Sequence, residues 1–200
     1  MLEDYYLKLR NAVRENAFQS FGYEYIFTKR ANKYRNYIGY LKGFGVAVPA
    51  IFGVFVITYG LNSKIANYLL TVAVIATVIQ FVISLFAIFA HWDEKFTYSL
   101  EAIQSHNNLN KRFQKLADYP PLIYDELNVS FETLDNEFNS REQQDAKQGV
   151  QEWELRKGMR YALRQYKRPC EGCKKTPLSM KSTDCDVCGK FSFKYKIKNT

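Results

Sequence analysis

Charge is missing from one long stretch of this chain. Residues 43–90 contain Lys64 and no other acidic or basic side chain. A buried helix of a water-soluble protein rarely runs that far without a charge. The gap speaks against an ordinary soluble helix pair and points to lipid, because a span needs about 20 apolar residues to cross a hydrocarbon core. Acid is missing from Lys29–Lys42, a segment that holds Lys29, Arg30, Lys33, Arg35 and Lys42. Cysteine is missing before Cys170, so metal or redox chemistry by thiols is confined to the tail. A basic-then-apolar leader is also absent. The start, MLEDYYLKLR, mixes acids and bases, so an uncleaved hairpin is expected.

Catalytic signatures are scarce too. Gly43-Phe-Gly45 lies inside an apolar run and lacks the strand–turn–helix context of a phosphate loop. There is no GxSxG and no HExxH. His91 and His106 have no catalytic partner visible along the chain, and Asp93-Glu94 and Asp125-Glu126 read as helix-end or surface charges. The expectation is a protein that is not an enzyme.

What is present is a mosaic of four parts. Residues 1–42 show helical spacing in Tyr5, Tyr6, Leu9, Val13, Ala17 and Phe21, with Gly22 expected to interrupt. The helix resumes over 23–42, whose tyrosines suit either an interfacial belt or ordinary packing. Residues 43–90 form the expected transmembrane hairpin. Its first apolar run is 43–63, with the span itself at 43–61, and its second span is 65–90. The basic flank before it predicts a cytoplasmic N-terminus, an even number of spans returns the C-terminus to the same side, and the flank is placed against anionic lipid headgroups. Residues 91–166 read as cytoplasmic helices. The first covers 93–117 and ends at Tyr119-Pro120-Pro121. The second covers 123–166, with a break expected near 128–130 or Gly149. The polar stretch 140–149 reads as a solvated helix or a loop. Residues 167–200 form the cysteine module.

The first span holds Pro49, a site for a kink, and aligns Ala50, Gly53 and Ile57 on one face. In the second span Ala73, Thr77, Gln80, Ser84, Ala87 and His91 recur at helical spacing and line one face with small and polar groups. An amide in hydrocarbon is costly without a partner, so Gln80 must face protein or water. Two readings stand: helix–helix packing within the hairpin or an oligomer, or the lining of an aqueous path.

The tail carries Cys170-x-x-Cys173, eleven residues, then Cys185-x-x-Cys188. Two such pairs can chelate Zn²⁺ with four thiolates, and a cytoplasmic tail favours metal over disulfides. Iron–sulfur ligation or a redox pair is the alternative. Gly172 and Gly189 are expected to permit the turns around the sulfurs. Phe191, Phe193, Tyr195 and Ile197 alternate with polar residues, the pattern of the short strand that closes a zinc ribbon. Nine basic residues against three acids in 167–200 permit nucleic-acid binding, although docking or stabilisation of protein accounts for the module as well.

The order of parts over roughly 5–140 resembles the SLATT superfamily of bacterial two-span membrane proteins. The likeness lies in the helical N-terminus, the tight hairpin and the following helix with His106, Leu109, Phe113 and Leu116. The tail is similar to that of mobilome-associated small bacterial proteins named after the C-x2-C-x11-C-x2-C spacing. The resemblance implies a bacterial inner-membrane effector in conflict with phages or mobile elements. Such an effector opens or damages the membrane once a separate defence sensor or signalling protein is triggered. The expectation is therefore an all-α integral membrane protein with a helical hairpin, a cytoplasmic bundle and a small C-terminal zinc ribbon, working as a homo-oligomeric pore. A non-conducting scaffold or sensor is the competing reading.

Overall fold

The computed structural model describes residues 2–59 and 64–192, with the side chains of 4–58 and 68–192. All regular structure among them is helical. In chain order, α1 is Leu2–Tyr59, α2 is Lys64–Phe89, α3 is Trp92–Asp118, α4 is Tyr124–Lys147 and α5 is Glu152–Gln165. The chain forms two compact units, one of residues 1–29 with 99–200 and the other of residues 30–98. Helices α1 and α3 contribute to both.

The first unit is a helical body. Val13 and Ala17 of α1, Leu109, Phe113 and Ala117 of α3, and Leu134 and Phe138 of α4 are buried together. These positions recur every three or four residues, which is how an amphipathic helix presents one apolar face. A second core joins Phe18 of α1 and Ala162 and Leu163 of α5 to Cys170 and Cys188. Gly22 does not interrupt α1. It is buried where α1 meets α5, and a Cβ added at Gly158 would stand 2.7 Å from the Gly22 carbonyl oxygen. The two glycines are kept for close approach of backbones rather than for a turn.

Breaks fall where the backbone demands them. Helix α3 stops before Pro120-Pro121. The expected break at 128–130 does not occur, and α4 runs through it. The break falls at Gly149, whose φ of 62° is the left-handed conformation that glycine adopts without steric cost. Helix α5 then starts with a capping box, in which the Gln151 and Glu154 side chains satisfy each other's backbone amides. The stretch 140–149 is helical to Lys147 and is not wholly solvated, since Arg141 and Asp145 are buried.

The second unit contains the hairpin. Helix α1 continues through Pro49 without a break, and α2 ends at Ala90-His91, where His91 takes φ 54°. The two helices run antiparallel. Tyr37 packs on Trp92 with ring centroids 5.1 Å apart, and farther along Gly45 faces Gln80. Two helices, α1 and α2, are long and apolar enough to cross a membrane, and almost nothing of their most apolar stretches is buried within the chain. The hairpin tip at 60–63 lies outside the described residues.

Candidate metal centre and hairpin face

The four cysteines are drawn together by two tight turns. The Lys174 amide donates to the Cys170 carbonyl at 2.7 Å, and the Gly189 amide to the Cys185 carbonyl at 2.9 Å. Each turn exits through a lysine in left-handed conformation, Lys174 at φ 56° and Lys190 at φ 53°. The positive φ thus falls on the lysines and not on Gly172 or Gly189. Those glycines give room instead. A Cβ at Gly189 would meet the Thr183 carbonyl oxygen at 2.3 Å, and one at Gly172 would meet Val187 at 2.8 Å.

All four sulfurs lie within 4.8 Å of one another. Cys170–Cys185 and Cys173–Cys188 are each 3.9 Å apart. A tetrahedral zinc about 2.3 Å from each thiolate requires sulfur–sulfur edges of about 3.8 Å. The arrangement therefore suits a four-coordinate metal ion such as zinc, with no position left for substrate. Burial pushes the Cys185 thiol up, but the backbone amides of Cys188 and Val187 and the neighbouring thiols outweigh it and bring it down to about 7. Burial and the same crowding push Cys188 up. Four thiolates at this spacing repel one another, and a bound cation is what allows them to ionise together.

Arg160, which sequence reasoning passed over, fastens this centre to the body. From α5 its Nε donates to the Ser179 carbonyl at 2.8 Å, and its Nη1 donates to the Cys188 carbonyl at 3.2 Å and lies 3.7 Å from the Cys188 sulfur. A buried guanidinium offers a planar set of donors that carbonyls and thiolates accept together. Its signal in the sequence is faint, a basic residue on the apolar side of α5. Among the described residues the tail has no strand. Of the alternating set, Phe191 and Ser192 are described and lie outside regular structure, while Phe193, Tyr195 and Ile197 lie outside the described residues.

A second polar cluster is buried in the body. His106 Nε2 lies 2.6 Å from Asp145 Oδ2, and both side chains are out of reach of solvent. Arg141 Nε approaches the other Asp145 oxygen at 3.3 Å, and its Nη1 donates to Glu101 at 2.7 Å. The His106 ring lies nearly parallel to those of Tyr23 and Phe27, with centroids 5.0 Å and 6.0 Å away. Tyr23 donates to Glu142 at 2.7 Å, and burial together with that carboxylate raises its pKa. The partner of His106 comes from a helix 39 residues farther on, so spacing could not reveal it. A pair this enclosed ties α3 to α4, with Tyr23 and Phe27 of α1 against the imidazole.

On the hairpin, the expected stripe divides. The Thr77 hydroxyl donates to the Ala73 carbonyl at 2.8 Å and the Ser84 hydroxyl to the Gln80 carbonyl at 2.9 Å, so both are satisfied inside α2. Gln80 Nε2 would lie 2.8 Å from a Cβ on Gly45. Ala87 is buried, while Thr77 and His91 are exposed, and His91 Nδ1 pairs with Glu94 at 3.1 Å. In the basic flank, the Lys29 ammonium stands over the ring of Tyr25, and that of Lys33 over Tyr34 and Tyr37. Arg35 and Lys42 are exposed.

Residues 10–191 match the family model described as Mobilome CxxCx(11)CxxC protein. The chain belongs to this family. The match covers the helices as well as the cysteines. No curated protein and no solved structure matches the chain.

Proposed function

We propose that this member of the mobilome CxxCx(11)CxxC family is a two-span bacterial inner-membrane effector that acts as a homo-oligomer in conflict with phages or mobile elements. The observation that carries the reading is the hairpin's uncovered apolar surface, exemplified by Ile57 at 87% exposure and Phe89 at 76%. Such a surface is stable in lipid and not in water. Lys29–Lys42 keeps the N-terminal flank cytoplasmic, and the body lies on the same side. Zinc held by Cys170, Cys173, Cys185 and Cys188 fixes the body. A separate sensor or signalling protein triggers assembly, and the rearranged hairpin then disrupts the membrane. The SLATT-like order of parts supports this mode of action.

Gln80 is the hinge of the reading. At rest its amide lies against Gly45 of the same hairpin, and opening turns it toward the conducting path. The test is ion flux through purified protein in liposomes, with wild type beside Gln80→Leu. Flux in wild type that is lost in the variant is the expected result. Equal flux in both removes Gln80 from the path.

A scaffold or sensor that does not conduct is the second reading, favoured by the packing of Gln80 within its own hairpin. Under it the cysteine module recruits protein or nucleic acid, and removal of 167–200 abolishes recruitment from a protein with no leak of its own.

A further inference from the structure

Between α1 and α2 lies an apolar groove of about 410 Å³. Tyr37 and Phe44 form one wall, Ile79 and Ile83 the other, and Trp92 stands at the end marked by Tyr37. From Tyr37 to Phe44 the wall is about 10 Å long at 1.5 Å per residue. Gln80 is the one uncharged polar amide in the lining. The Lys33 ammonium lies 5.7 Å from the Tyr37 ring centre, one helical turn beyond the aromatic end of the groove. That places a cation, an aromatic rim and an apolar trough in sequence along one helical face. Beside Trp92, Glu94 contacts His91 at 3.1 Å.

We propose that this groove is a binding site for one anionic phospholipid, with an acyl chain in the trough and the phosphate at Lys33. The inference rests on the membrane reading of the hairpin given above. It goes beyond that reading by replacing a diffuse attraction of the basic flank for the bilayer surface with a single built site. Charge complementarity selects the occupant. Lys29–Lys42 has no acid, and basic pockets between spans on the cytoplasmic side are suited to anionic headgroups.

Trp92 reports the site directly. The full chain carrying Trp153→Phe has Trp92 as its remaining tryptophan. It is reconstituted in phosphatidylcholine vesicles containing a minor fraction of acyl-brominated phosphatidylglycerol or acyl-brominated phosphatidylcholine. Fluorescence quenching reads occupancy of the groove, and flotation with the vesicles reads insertion separately. The expected result is apparent enrichment of the anionic lipid by about fivefold, the effect of one cation near the surface. Lys33→Gln, at an exposed position, should reduce the preference to near unity. Ala76→Phe, which fills the trough, should lower quenching by both lipids.

Equal quenching by the two lipids means only annular lipid and overturns the site. Preference retained in Lys33→Gln overturns the assigned headgroup contact. Flotation with no quenching by either lipid shows the groove closed to acyl chains and overturns the occupant. Failure to float overturns the membrane reading itself, and the site with it.

Discussion

The helical body and the hairpin use the same apolar residues in opposite ways. In the body, Phe18, Phe27, Phe113, Leu109 and Leu127 are sealed from solvent. In the hairpin, Phe44, Ile57, Phe81 and Phe89 stand open. The body carries charges on its outer faces and turns its apolar faces inward. The hairpin has no charged face to turn outward, so burial within one chain cannot satisfy it. Hydrophobicity alone therefore does not say where a core lies. Its distribution around each helix does, because the period of the apolar positions decides whether water or lipid is the complementary solvent.

The two units also handle polar groups differently. The body concentrates them into buried clusters with specific partners, such as Asp145 between His106 and Arg141. The hairpin folds its hydroxyls back onto its own carbonyls. This contrast predicts that substitutions in the body's polar and thiol clusters unfold the body while leaving the hairpin helical.

The largest effect should come from the metal. Cys188→Ser removes one of the four sulfurs placed to hold a metal ion, and a structural zinc contributes an apparent 10–16 kcal/mol, roughly, in small domains. Bound zinc should fall to near zero by elemental analysis, and limited proteolysis of residues 150–190 should speed up sharply. Unchanged proteolysis would show that Arg160 and the apolar contacts of Cys170 and Cys188 suffice without metal.

Asp145→Ala comes next. It takes the carboxylate from a buried imidazole and leaves Arg141 with Glu101, and breaking a buried pair typically costs about 3–5 kcal/mol. The midpoint of urea unfolding of the body should drop accordingly. A shift within error would mean that water enters and replaces the carboxylate.

Gly158→Val should cost about 1–3 kcal/mol, because its side chain is driven into the Gly22 carbonyl and Ile26. Gly43→Val in the hairpin, with open space at its Cβ position, is the matched control and should be near neutral. Similar losses in both would erase the distinction between a close helix crossing and an uncovered face.

The smallest effect concerns Tyr23. Its folded pKa is raised above the ordinary 10.0, first by burial and then by Glu142. The folded state thus keeps a proton that the unfolded state releases above pH 10. This stabilisation is complete below pH 10 and is lost as pH rises from there toward the folded value. Tyr23→Phe should lose about 0.5–1.5 kcal/mol at neutral pH with the hydrogen bond. It should also flatten the alkaline decline relative to wild type in pH-dependent thermal melts. Parallel declines would show that other groups govern the alkaline limb.

Local chemistry was legible wherever it depended on near neighbours in the chain. The stop of α3 follows from Pro120-Pro121, the end of α4 from Gly149, and the thiol cluster from two paired spacings. Gly22 misled because a glycine's two uses, turning and close approach, look alike until the facing backbone is known. The same ambiguity attached to Gly172 and Gly189. Arg160 was hidden because its partners lie 19 to 28 residues away and are mostly backbone carbonyls, which every residue has.

Sequence by itself determined the helical class, two apolar runs of spanning length and a cluster of four cysteines. Each of these follows from composition, period or short spacing, which act locally. Tertiary structure decided that the cysteines share a core with Phe18, that His106 meets Asp145, and that Gln80 lies against Gly45. Those pairings set which buried charges are neutralised and which faces are left open. They depend on how distant helices cross, and no local pattern encodes a crossing.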